Sequence, residues 1–149
     1  SIGKKTKIEE NDIQNYIGIN KDYNVYELIN AIGLKDVYKT YVISDYLYEK
    51  DSRNMLYANS ALHDFFTKVL LFQNLKRKKK YSENHIVSKL NLPHAFFLKQ
   101  YSTAAINYNS KKIINILETI FEYERIIKGL STTKNTKSLV KEVMYKILN

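Results

Sequence analysis

Apolar residues recur at intervals of three and four along most of this chain, and very little interrupts them. Among 149 residues there are only four glycines and one proline. Spacing of i, i+3, i+4 places side chains on one face of an α-helix, whereas a half-buried strand needs strict alternation. Alternating segments are scarce, so the sequence predicts an all-α fold, a bundle of about six or seven helices. No fixed-period repeat is evident. The length suits one domain, or one domain with a piece of a neighbour, and is enough to bury a real core.

Breakers and capping residues set the expected elements. A short helix is predicted over Ile8 to Ile17, stopped by Gly18 and followed by a linker to Tyr23. Asn24 can cap a second helix that carries Val25, Leu28, Ile29 and Ile32 on one face and ends at Gly33. A third runs from Lys35 to Tyr48, with Val37, Tyr41, Ile43 or Ser44, and Tyr48 in helical register. A long helix is expected from Asn54 to Lys76. Its Leu62, Phe65, Phe66, Val69, Leu70 and Phe72 cover more than one narrow stripe, which suits the centre of a bundle or a face buried on a partner. Of these two, the central core helix is the better expectation.

Ser82 can cap a short helix ending near Leu90, and Pro93 sits where the first turn of the next helix tolerates a missing amide, that helix reaching Asn107. Ser110 is read as the cap of an amphipathic helix to Lys128. Its inward face is expected to be Ile113, Ile114, Leu117, Ile120, Phe121 and Ile127, with Gly129 left-handed behind it. A last helix covers Thr136 to Leu148, with Leu139, Val140, Val143, Met144 and Ile147 inward. The organisation reads as residues 1–23 joined to a helical domain over 24–149.

Cysteine is absent, which excludes disulfides, thiolate catalysis and cysteine zinc sites, and fits a cytoplasmic location. No apolar run reaches the ~18 residues of a membrane span, and the start lacks a signal-peptide core. The first residue is not methionine, so the chain reads as a piece of a longer protein. Twenty-four Lys and Arg against fifteen Asp and Glu give a net charge of +9, which attracts nucleic acid or acidic proteins, or simply reflects a lysine-rich composition.

Catalytic signatures are lacking. Gly3-Lys4-Lys5-Thr6 has neither the upstream glycine nor the residue order of a phosphate loop. His63, His85 and His94 lack metal-ligand spacing and read as surface or boundary residues. Neither a cofactor nor a metal is expected, and the chain is read as non-enzymatic. Two features are sharper. The run Lys76-Arg77-Lys78-Lys79-Lys80 can complement a helix C-terminus or contact phosphates weakly. The helix pair over residues 82–107 has the outline of a helix-turn-helix, which with that run makes a DNA-binding domain the alternative reading. Its second helix, however, opens with His94-Ala95-Phe96-Phe97-Leu98, poor in groups that read base edges.

Several segments, in order, resemble one family. Asn24-Val25-Tyr26-Glu27-Leu28-Ile29-Asn30-Ala31-Ile32 resembles the start of the last domain of the delta subunit of the bacterial DNA polymerase III clamp loader. Ile8 to Ile13 and Ile17-Gly18-Ile19 look like the end of that subunit's AAA+-type lid. Ser82 to Lys99, Tyr123 to Gly129 and Leu139 to Leu148 resemble its later helices, with Ser88 for the usual alanine and Glu124 for the usual aspartate. The resemblance implies a helical collar domain that takes no part in ATP hydrolysis. Such a domain would help assemble the loader that places the sliding clamp for DNA replication. Its implied partners are the other loader subunits, with a second copy of the isolated chain as a further possibility and no membrane. Phe96, Phe97 and Tyr101 crowd one short stretch and cannot all face one core, so they are the candidate protein interface, with Phe96 or Phe97 expected to contact a partner.

Overall fold

The computed structural model describes residues 22–129 and 136–149. The helix expected over Ile8 to Ile17 and the loop over residues 130–135 lie outside them. Within the described residues there are seven α-helices, one short 3-10 turn and no strand, so the chain is an all-α bundle. The order is α1 (Val25–Gly33), α2 (Val37–Lys50), α3 (Asn54–Lys78), α4 (Glu83–Lys89), the 3-10 turn Ala95–Phe97, α5 (Leu98–Asn107), α6 (Ser110–Gly129) and α7 (Lys137–Leu148). Among the described residues, no helix is long and apolar enough to cross a membrane.

Short polar side chains set the helix starts, because the first-turn amides have no partner within the helix. Asn24 Oδ1 accepts from Glu27 N at 2.9 Å, Asp36 Oδ1 from Lys39 N at 3.1 Å, and Ser82 Oγ from His85 N at 3.3 Å. For α6 the cap is Asn109 rather than Ser110: Asn109 Oδ1 accepts from Lys112 N at 2.8 Å. Ser110 donates instead to Gln73 Oε1 at 2.8 Å.

The long α3 is the central helix, as its wide apolar arc suggests. It packs against α1, α2, α5 and α6, burying Met55, Leu62, Phe65, Phe66, Val69 and Leu75 along its length. The main core joins these to Leu28, Ile32, Ile43, Tyr108, Ile116 and Ile147. A smaller cluster, Phe72, Leu75, Ile86, Leu90 and Leu98, closes the end of the bundle under α4. Aromatic edges lock the centre. The Phe66 ring meets Tyr108 at 5.2 Å and Phe65 at 5.3 Å, both edge to face.

Several sequence expectations need correction. On α6, Ile113 and Ile120 are buried and Leu117 and Ile127 pack on the core as expected, but Ile116 and Tyr123 are buried in place of Ile114, which is exposed, and Phe121, which is 67% exposed. Tyr123, amphipathic in sequence, turns its ring inward. On α2 the inward face is Thr40, Ile43, Ser44 and Leu47, with Val37 exposed. The two hydroxyls bond their own helix, Thr40 Oγ1 to Asp36 O at 2.7 Å and Ser44 Oγ to Tyr41 O at 3.1 Å, so they are buried satisfied. Pro93 precedes a 3-10 turn instead of starting an α-helix, and that turn is capped by His94 Nδ1, which accepts from Phe96 N at 2.9 Å.

Gly33 ends α1 as expected, but Gly129 stays helical, and no described glycine has positive φ. The left-handed positions fall on Lys35, Lys79 and Asn91. After α1, Lys35 N donates to Ile32 O and Asp36 N to Ala31 O, both at 2.9 Å, the paired bonds of a Schellman ending. Gly33 serves packing: a Cβ there would lie 3.2 Å from Phe65 Cζ and 3.7 Å from Ala104 Cβ. Gly33→Leu should therefore cost about 1–3 kcal/mol through overpacking. Gly33→Ala should cost much less, since a helix-propensity gain of about 1 kcal/mol offsets the tight contact. Urea unfolding of the two variants checks this, and equal stabilities would show that Phe65 yields freely.

Candidate interaction surface

The three residues singled out as an interface separate in the fold. Phe96 is 76% exposed at the outer side of the 3-10 turn. Phe97 is half-buried against the main core, its ring 5.6 Å from that of Phe96 and nearly perpendicular to it. Tyr101 is only 8% exposed, with its ring 5.1 Å from Phe65. Tyr101 is therefore a core residue and no part of an exposed surface, because it sits one turn into α5 on the side facing α3.

Phe96 does not stand alone. With Tyr26 and Leu34, both about half exposed, it borders a notch of about 510 Å³ between the α1 end and the start of α5. Gly33 is among the residues that line this notch. Gln100 lines it too, and its Nε2 is buried without a hydrogen-bond partner. Exposed apolar side chains gathered in one place suit a protein partner better than bulk water.

A second, wider groove of about 990 Å³ lies on the other side of α5, between the last turns of α3, α4 and the α5–α6 corner. Gln73 fixes that corner. Its Nε2 donates to Ala105 O at 3.1 Å and Tyr108 O at 2.7 Å, and its Oε1 accepts from Ser110. Lys76, Arg77 and Lys99 rim the groove. The whole run Lys76 to Lys80 is exposed; Lys76 to Lys78 form the last turn of α3, and Lys79 breaks the helix in the left-handed region.

In the helix pair over residues 82–107 the start of the second half offers Ala95, Phe96 and Phe97, and α5 turns Leu98, Tyr101 and Ala104 into the bundle, leaving Lys99 exposed and Ser102 and Thr103 half-buried on its other side. His63, His85 and His94 are all exposed, and the described residues contain no cluster of three or more His, Asp or Glu that could hold a metal. Sequence reasoning missed Gln73 and Gln100. The signal available for Gln73 was its place on the inward side of an apolar helix between Phe72 and Leu75; Gln100 offered none. Scans against protein-family models, curated proteins and solved structures find no match to this chain.

Proposed function

We propose that the chain is the C-terminal region of a clamp-loader delta subunit, with residues 24–149 as a non-catalytic collar domain that holds loader subunits together. The observation that carries this reading is the order of the resembling segments, from Asn24 through Leu148, along a helical bundle. The exposed patch of Tyr26, Leu34 and Phe96 supports it, since an assembly domain needs a surface that a partner covers.

The test is reconstitution. The chain, mixed with the remaining subunits of its clamp loader, should co-elute as one complex. Phe96→Ser should weaken that assembly by about 1–3 kcal/mol, the range of an aromatic anchor. Its thermal midpoint should stay within about a degree, because an exposed ring contributes little to the fold. Normal assembly of a delta subunit lacking residues 24–149 would overturn the proposal. So would tight, sequence-dependent binding of duplex DNA that falls steeply with salt, the signature of the helix-turn-helix alternative.

A further inference from the structure

Independently of the collar reading, we infer that the groove between α3, α4 and α5 docks an acidic amphipathic helix of a partner protein. Elsewhere on the surface some cations are neutralised by the chain itself, Lys68 by Asp64, Arg125 by Glu122, Lys128 by Glu124 and Lys146 by Glu142, while others such as Lys39, Lys111 and Lys141 stand singly. Around this groove Lys76, Arg77 and Lys99 form no ion pair among the described residues, although Glu83 stands on the same rim. Lys78, Lys79 and Lys80 extend the uncompensated charge beyond one end.

Between these cations the lining is mixed. Gln73, Ser102, Asn109 and Ser110 are polar, Phe72 and Leu98 are only 8% exposed, and Ile106 stands 85% exposed at the edge, a large aliphatic side chain with little of its own chain to cover it. The exposed Ile106 and the cationic rim together match a helix that carries leucine-like anchors on one face and carboxylates on its flanks. Nucleic acid fits less well, because the exposed apolar side chain at the groove, Ile106, is aliphatic and offers no ring on which a base could stack.

The experiment uses the whole chain and a fluorescein-labelled helical peptide of about 18 residues, long enough to hold helix when bound. The peptide contains only leucine at i, i+4, i+7 and i+11 with glutamate between. Fluorescence anisotropy should show saturable binding, and Ile106→Glu and Lys76→Glu should each weaken it by about tenfold or more. Both side chains are exposed, so Ile106→Glu should leave the circular dichroism melt unmoved, and Lys76→Glu, a negative charge in the last turn of α3, should lower it by no more than a few degrees. Neither lines the Phe96 notch, so the outcome is separable from the assembly test. Lys141→Glu, an exposed charge on α7, should leave binding within about twofold. Binding indifferent to Ile106→Glu, or weakened equally by Lys141→Glu, would reduce the effect to net charge and overturn the inference. It is equally overturned if labelled oligo-dT displaces the peptide and depends on the same residues, which would assign the groove to single-stranded nucleic acid.

Discussion

Raising the pH from 9 towards 12 should unfold this domain cooperatively, and buried tyrosines should drive the transition. Tyr101, Tyr108 and Tyr123 are core residues on α5, at the α5–α6 corner and on α6. Burial raises the pKa of all three, pushing Tyr123 up to about 12, with the nearby Tyr48 adding to the effect. Tyr108 is held further by its hydroxyl, which donates to Ile32 O at 2.6 Å and would lose that bond on ionising. An unfolded chain releases the same protons near pH 10. Above that pH the folded state binds more protons than the unfolded one, so stability falls as pH rises, until the folded groups ionise in turn. Each protected tyrosine contributes a slope of about 1.4 kcal/mol per pH unit in that window. Three such groups act against a total stability that for a domain of this size is typically about 5–15 kcal/mol. Helical circular dichroism should therefore collapse together with a late rise of tyrosinate absorbance, and Tyr123→Phe should move the midpoint to higher pH. Full ionisation of all 13 tyrosines with the helical signal intact would contradict this account.

The helical class and most boundaries were legible because they rest on local chemistry. The caps Asn24 and Ser82 and the breakers around Gly33 act within a few residues of themselves. The central place of α3 was legible too, since a helix apolar over so wide an arc needs neighbours on several sides. What failed depends on neighbours distant in sequence. The α6 stripe turned on where α3 and α7 lie, which admitted Tyr123 and left Phe121 in solvent. Gly33 ends α1 as its sequence position suggested, but its contact with the Phe65 ring, thirty-two residues away in sequence, was not legible. Of the three aromatics proposed as an interface, spacing showed only that they could not share one core. The fold decides which faces out, and it is Phe96. The wide groove was beyond reach in sequence, because its rim joins residues from the end of α3 with Lys99 on α5.

Asn59→Asp should be among the most damaging single-atom-scale changes in this chain. Asn59 is 4% exposed on the inner face of α3, and its Nδ2 donates to Ile120 O on α6 at 3.2 Å. With Met55, Leu62, Tyr123, Val143 and Met144 it borders a void of about 10 Å³, at the lower limit for a single water. A carboxylate there would lose the amide donor and face the Ile120 carbonyl oxygen with little room for hydration, so its charged form should cost several kcal/mol, about 3–5. Protonation relieves this, because a neutral carboxyl can donate to Ile120 O as the amide does. The folded-state pKa of the new group must therefore lie above its unfolded value near 3.9. The added instability is then small below pH 4, grows as pH rises through the folded pKa, and stays constant beyond it. Asn59→Leu provides the contrast. It removes the amide but leaves Ile120 O in the helical ladder, and a well-packed apolar replacement of a buried polar group is often nearly neutral. Urea unfolding at pH 4 and pH 7.5 should show Asp far below Leu at the higher pH and the gap narrowing at the lower. A gap independent of pH would mean that the site admits water, and that α3 and α6 are packed less tightly at Asn59 than the structure has them.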